Sequence, residues 1–234
     1  MISSHSFPLF MSLADKHCVV AGLGEVGARK TENLLACGAG SILALDIKPA
    51  GCICAQGASL LKDQRVTFAM RAFRPEDCAG ATLVFATTSN AAENRRIAAI
   101  CRTARVLCNC ATDPECGDFI LPATARQGQL CAALSTAGQS PLLARQWRME
   151  LEEWLRPREK LAWLMGRLRA PVLALGCTAA FNAAFFRKIA ESPIAHWLEH
   201  ADIAPCRDWL IAELPPEMQS EIDNILADYA AIFA

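Results

Sequence analysis

Short uninterrupted apolar runs alternate with amphipathic stretches through about the first 110 residues. His17–Gly22 reads as a buried strand ending on glycine. Glu25–Cys37 reads as a helix, with Gly38 placed to stop it in a left-handed cap. Ser41–Asp46 is a second buried strand, Val66–Ala69 a short third and Leu83–Thr87 a fourth. Asn90–Arg105 has helical periodicity, with Ile97 and Ile100 or Cys101 on one face, and Val106–Asn109 is a fifth strand. Strands that are apolar throughout and alternate with helices predict a parallel sheet covered on both faces. Right-handed crossovers then give a doubly wound, Rossmann-type α/β fold.

After Pro114 the rhythm changes. Phe119–Ala123 and Leu130–Ser135 read as a pair of strands flanking Arg126–Gln129. Ser140-Pro141 opens a helix to about Leu155, since serine is a good N-cap and proline fits the first helical position. From Pro157 onward the pattern is helical, punctuated at Pro171, Pro193, Pro205 and Pro215-Pro216. Trp163, Trp197 and Trp209 fall at expected core positions of this tail. Three parts are therefore expected: a nucleotide-binding domain over 1–113, a small mixed α/β segment over 114–156, and an all-α domain over 157–234.

Charge narrows the partners. The 23 basic and 24 acidic side chains leave a net charge of −1. That speaks against a nucleic-acid or anionic-membrane partner, each of which favours a basic excess. The stretch Pro171–Phe186 is apolar but short and contains Asn182, so it reads as a buried helix rather than a membrane span. The first eleven residues lack a basic stretch followed by an apolar run, so no signal peptide is expected and the location is cytoplasmic. In that compartment the 12 cysteines stay reduced. Cys101, Cys108, Cys110 and Cys116 crowd one region, but no Cys-x-x-Cys pair occurs and no histidine lies between Cys101 and Cys131. They read as small core residues, with no metal site assigned. His196 and His200 are four apart on a helical stretch, a metal-compatible spacing without an obvious third ligand.

One motif carries chemistry. Gly22-Leu-Gly24-Glu-Val-Gly27 follows a strand and opens a helix, the context a dinucleotide fingerprint requires. Gly22 permits the tight turn, Gly24 admits a pyrophosphate to the backbone, and Gly27 lets helix and strand approach. Free N–H groups and the dipole at the helix start favour phosphate. Asp46 ends the second strand 19 residues after Gly27, where its carboxylate can grip the ribose hydroxyls and repel a 2′-phosphate. NAD is therefore expected over NADP, a preference that Lys48 weakens slightly. Glu25 and Val26 in the turn and Ile47 beside the acid complete the candidate cofactor contacts on this side.

A longer pattern adds a reaction. Pro8-Leu-Phe, Gly22–Lys30, Ala86-Thr-Thr88, Asn94-Arg-Arg96, Asn109 followed by Asp113-Pro-Glu115, Asp118–Ala123 and Ser135–Arg145 occur in this order. Together they resemble the siroheme synthase N-terminal family, the precorrin-2 dehydrogenases, over about residues 7 to 156. The resemblance implies NAD-dependent oxidation of precorrin-2 to sirohydrochlorin and a homodimer, with the 114–156 segment serving dimerisation and substrate binding, exchanged or packed against its twin. Some relatives also insert ferrous iron; otherwise a separate chelatase would take the product. It places Thr88 on the nicotinamide side.

The substrate that the resemblance implies is rich in carboxylates, so this nearly neutral chain would have to meet it with a local set of cations. Arg126, Arg145 and Arg148 cluster in sequence, either for that purpose or as solvated surface residues. Asn109, Ser135, Thr136, Gly138 and Arg145 are the candidate substrate contacts. Members of the family it resembles usually carry two adjacent acids after the asparagine that matches Asn109. Here the first position is Thr112 and the second Asp113. Threonine is no anionic base near neutral pH. Either Asp113 takes the proton or the dehydrogenase works by positioning, and ferrochelatase activity is doubtful. A different class stays open: an NAD-binding redox or ligand sensor without turnover.

Overall fold

The structure, a computed structural model, describes residues 7–233. His5 lies outside them. The described chain forms two compact units, one up to Leu121 and one from Pro122.

In the first unit, β1 (His17–Ala21), α1 (Glu25–Ala36), β2 (Ser41–Asp46), α2 (Ala55–Leu60), β3 (Val66–Met70), β4 (Ala81–Ala86), α3 (Ala91–Ala104) and β5 (Leu107–Cys110) follow in order. The strands are all parallel and lie in the order β3-β2-β1-β4-β5. From β1 the chain runs outward to β2 and β3 on one side, then crosses back from β3 to β4 on the other side of β1. This is the reversal of strand order at which doubly wound sheets open a crevice. Alternate residues of β1 enter different cores. Cys18 and Val20 join Leu23, Leu34, Ile42 and Phe85, whereas Val19 and Ala21 join Leu45, Val84, Ile97 and Cys101. Both faces are thus covered, which is why the strands carry no polar alternation.

Local signals set the ends. Gly38 adopts φ +78° just past α1. The Asn90 side chain accepts from the Ala92 and Glu93 N–H groups and caps α3, and Arg105 ends it in the left-handed region. Helix α2 is an element the apolar pattern does not announce: its six residues include Gly57 and Ser59.

One strand assignment is corrected. Phe119–Pro122 is not a strand. Asp118 pairs with Cys108 through its own N–H (2.8 Å) and its carboxylate (2.9 Å), covering the free edge of β5. Phe119 then packs edge-on against Phe85, ring centres 5.6 Å apart.

The second unit begins with an antiparallel hairpin, β6 (Ala123–Gln127) and β7 (Leu130–Leu134), followed by α4 (Pro141–Leu155) packed on it. Ser140 caps α4 through its hydroxyl, with Pro141 at the first position. Among the described residues five further α-helices follow: α5 (Glu159–Ala174), α6 (Ala179–Glu191), α7 (Ile194–Glu199), α8 (Ile203–Glu213) and α9 (Gln219–Phe233). Leu164, Leu168 and Val172 of α5 meet Ile189, Leu198, Leu210 and Leu226 in one apolar core. Trp163, Trp197 and Trp209 pack against it, each partly buried.

Two readings of this region change. Pro171 lies inside α5 rather than before a new helix. Pro171–Phe186 is not one helix either, because Gly176 (φ +69°) and the Thr178 cap divide it between α5 and α6. Among the described residues no helix is long and apolar enough to cross a membrane. Six of the 12 cysteines are buried. Burial pushes the Cys18 thiol up to about 11 and that of Cys206 to about 12, so both stay protonated near neutrality.

Candidate functional site

The crevice of the first unit opens at the carboxyl ends of β1 and β4. Three glycines shape its β1 side. Gly22 has φ +95°, and a Cβ there would lie 2.7 Å from the Thr88 backbone. A Cβ on Gly27 would overlap the Gly22 carbonyl oxygen. Gly24 differs: a Cβ there meets nothing within 4 Å. It is exposed, it is the N-cap of α1, and no side chain caps that helix end. An open cradle of backbone at a helix start, with Glu25 and Val26 exposed beside it, fits a diphosphate.

Asp46 sits across from this turn. Its Oδ2 accepts from the Leu23 N–H (2.8 Å) and its Oδ1 from the Lys48 N–H (2.9 Å). The carboxylate is half-buried, and each oxygen keeps lone-pair capacity for another donor. Glycine turn and acid thus form one hydrogen-bonded unit, and Ile47 beside them is 75% exposed. These residues fit a dinucleotide with a free ribose diol.

The β4 side is built from side chains. Thr87 is buried and its hydroxyl reaches the carbonyls of Gly22 (2.8 Å) and Ala21 (3.0 Å). Asn94, on α3, is fully buried. Its Oδ1 accepts from the N–H (3.0 Å) and hydroxyl (2.7 Å) of Thr88. Its Nδ2 donates to the Thr88 carbonyl (2.9 Å) and to the Thr112 hydroxyl oxygen (3.2 Å). Thr87 and Asn94 stand out only in hindsight. The available signals were a hydroxyl closing an all-apolar strand, and an asparagine on the buried face that carries Ile97 and Cys101.

Asp113 follows β5 and is partly exposed. The Cys116 thiol donates to its Oδ2 (3.2 Å), and the Arg95 guanidinium lies 4.0 Å away. That bond to the carboxylate, together with partial burial, holds the Cys116 thiol above its ordinary range. Asn109 is buried and its amide donates to the Phe119 carbonyl (2.9 Å), so this side chain ties β5 to the segment after it.

The other sequence candidates belong to the second unit. Ser135 accepts from the Ala137 N–H (3.1 Å), and the Thr136 hydroxyl exchanges bonds with the Ser140 backbone (3.3 Å each way). Ala137 (φ 49°) and Gly138 (φ +80°) bend this loop into α4, and the space where Gly138 lacks a Cβ is open. Arg145 is exposed, without a hydrogen bond or ion pair among the described residues. Arg148 is instead paired with Glu152. His196 and His200 stack, ring centres 4.3 Å apart. Among the described residues no group of three or more histidines, cysteines or acids is placed to hold a metal.

Residues 9–123 match the family model described as Putative NAD(P)-binding. The chain is 29% identical over 220 residues to the siroheme synthase of Nitrosospira multiformis, covering 92% of this chain and 46% of that protein. It is 34% identical over 185 residues to siroheme synthase 2 of Pectobacterium atrosepticum, covering 78% and 39%. The chain thus spans less than half the length of these curated relatives. Its fold matches that of SirC, precorrin-2 dehydrogenase, with a TM-score of 0.65 at 17% identity, over 96% of this chain and all of that one.

Proposed function

We propose that this chain, a member of the siroheme synthase and precorrin-2 dehydrogenase family, oxidises precorrin-2 to sirohydrochlorin with NAD. The observation that carries the reading is the Asp46 carboxylate bonded to the N–H of Leu23 inside the glycine turn. It sets a diol-binding acid beside an open phosphate cradle in a chain related to siroheme synthases. An unshielded carboxylate there repels a 2′-phosphate, which favours NAD over NADP.

When bound, NAD would supply the hydride acceptor for removing two hydrogens from the macrocycle, which extends its conjugation. The second hydrogen leaves as a proton. Gly24 and the start of α1 would hold the diphosphate, with Glu25 and Val26 alongside, and Asp46 and Ile47 would hold the adenosine ribose. Asp113 is the group on this chain suited to take the proton: it is accessible, it is an acid, and the Cys116 thiol orients it. Thr112 has no carboxylate to offer, so it accepts neither the proton nor an iron ion. Arg145, Ser135, Thr136 and Gly138 of the second unit would meet substrate carboxylates, with Arg145 as the unpaired cation. A homodimer, a cytoplasmic site of action and a separate chelatase that receives the product complete the proposal.

The test mixes the purified chain, NAD and anaerobically generated precorrin-2 and follows the sirohydrochlorin absorption spectrum. The expected result is formation well above the uncatalysed rate; a rate no faster than the blank removes the enzyme. Ferrous iron added with sirohydrochlorin should be inserted no faster than without protein.

A further inference from the structure

The hydrogen bonds around Asn94 fix the direction of two hydroxyl groups. The Thr88 N–H must be given to an acceptor, so the atom it meets is the Asn94 oxygen, at 3.0 Å. The other atom of that amide is then the nitrogen, with two hydrogens. One goes to the Thr88 carbonyl and the other to the Thr112 hydroxyl oxygen. All four capacities of this fully buried amide are used, which leaves no freedom to turn it over.

Two consequences follow. Thr112 receives a hydrogen from Asn94, so its own hydroxyl hydrogen is free for an outside acceptor; the sulfur of Cys110, 3.9 Å away, competes for it only weakly. Thr88 is the reverse. Its hydrogen stays within the protein, given to the Asn94 oxygen at 2.7 Å with the Asn90 carbonyl at 3.1 Å as a longer second acceptor, and its oxygen accepts from the Asn90 N–H at 3.2 Å, leaving one lone pair. Thr112 is exposed and Thr88 only half-buried, so a ligand can reach both. One donor and one acceptor therefore stand on either side of a single side-chain amide, at the ends of β4 and β5.

We propose that this pair recognises the carboxamide of nicotinamide: Thr112 donates to its oxygen and Thr88 accepts from its nitrogen. A primary carboxamide presents an acceptor and a donor on neighbouring atoms, the complement of what the two threonines offer. The strands agree, because the adenosine half belongs to β1 and β2 and the other half of a dinucleotide crosses to the strands beyond the switch point. Asn94 is the positioning residue that sets the polarity of both hydroxyls. The assignment rests on reading the crevice as a dinucleotide site.

Calorimetric titration separates the two claims. Wild type should bind NAD several-fold more tightly than its 3-acetylpyridine analogue, which keeps the oxygen and lacks the N–H group. Thr112→Val should weaken NAD and the analogue alike, by about fivefold for one neutral hydrogen bond, and leave ADP-ribose unchanged. Thr112→Ser should restore wild-type affinity. A Thr112→Val protein with unchanged NAD affinity, or one that loses ADP-ribose equally, overturns the carboxamide assignment. So does a wild type that binds NAD and the analogue equally. A wild type that binds neither NAD nor ADP-ribose overturns the dinucleotide site itself.

Discussion

The two sides of the crevice are made in opposite ways. On the β1–α1–β2 side the shape comes from missing side chains: Gly22 and Gly27 let backbones touch, and Gly24 leaves space. On the β4–α3–β5 side it comes from present ones, with Thr88, Asn94 and Thr112 joined in one network and Thr87 bonded to the glycine turn. A surface made of backbone reads any phosphate and depends on close approach. A surface made of side chains reads a particular donor and acceptor pattern, and depends on one buried amide.

The largest effect is expected where the backbones touch. Gly27→Ala puts a methyl group into the Gly22 carbonyl, and no flexible side chain can yield. Overpacking of this kind costs about 3 kcal/mol. The turn must also open, so NAD should no longer raise the unfolding temperature. A thermal melt with and without NAD measures both. An alanine variant that melts like wild type and is still stabilised by NAD would mean the contact is soft and the β1 side tolerates side chains after all.

Asp46→Ala comes next. Hydrogen bonds to a charged group contribute about 1.5–3 kcal/mol, so NAD affinity should fall by on the order of tenfold to a hundredfold. The Leu23 N–H loses its acceptor, but the site is partly open to water and the fold should persist. Calorimetry checks the affinity and circular dichroism the fold. Unchanged affinity would remove the ribose role.

These first two changes fall where the sequence could be read, and the reason is physical. Glycines that serve backbone geometry occur at fixed spacing, so Gly22, Gly24 and Gly27 announce the turn without any knowledge of tertiary contacts. Asp46 follows because strand length fixes its place. The five strands were legible for a similar reason: a run buried on both faces has no polar residue to break it. Asn94 and Thr87 were not legible as parts of the site, since their partners lie 18 and 65 residues away. Only the folded sheet brings those together. Phe119 misled for the converse reason. Its apolar character reflects packing on Phe85 rather than a strand. Pro171 misled because the helix of the second unit simply continues through it.

Asn94→Leu probes the side-chain surface. It leaves the Thr88 N–H unpaired in a half-buried place and releases the Thr112 hydroxyl. The expected cost is about 1 kcal/mol, the lower end for a donor left without its partner in a half-buried place, read as a lower denaturant midpoint. NAD affinity should fall while ADP-ribose affinity holds. Equal loss of both ligands would mean that the network supports the whole crevice and that the division between its two sides is not real.

Thr87→Val is the smallest change and tests where that division lies. Thr87 ends β4, yet its hydroxyl bonds the Gly22 and Ala21 carbonyls, which belong to the glycine turn. Valine keeps the shape and removes that one donor. The loss should be about 1 kcal/mol of stability, with serine restoring it. Because the freed carbonyl sits behind the phosphate cradle, NAD and ADP-ribose should weaken together, by about twofold to threefold. By position Thr87 belongs with the β4 residues, but by bonding it belongs with the glycines, and the ligand ratio decides between them. A variant that loses NAD and keeps ADP-ribose would move Thr87 into the Asn94 network, so that the nicotinamide surface would begin at the end of β4 itself.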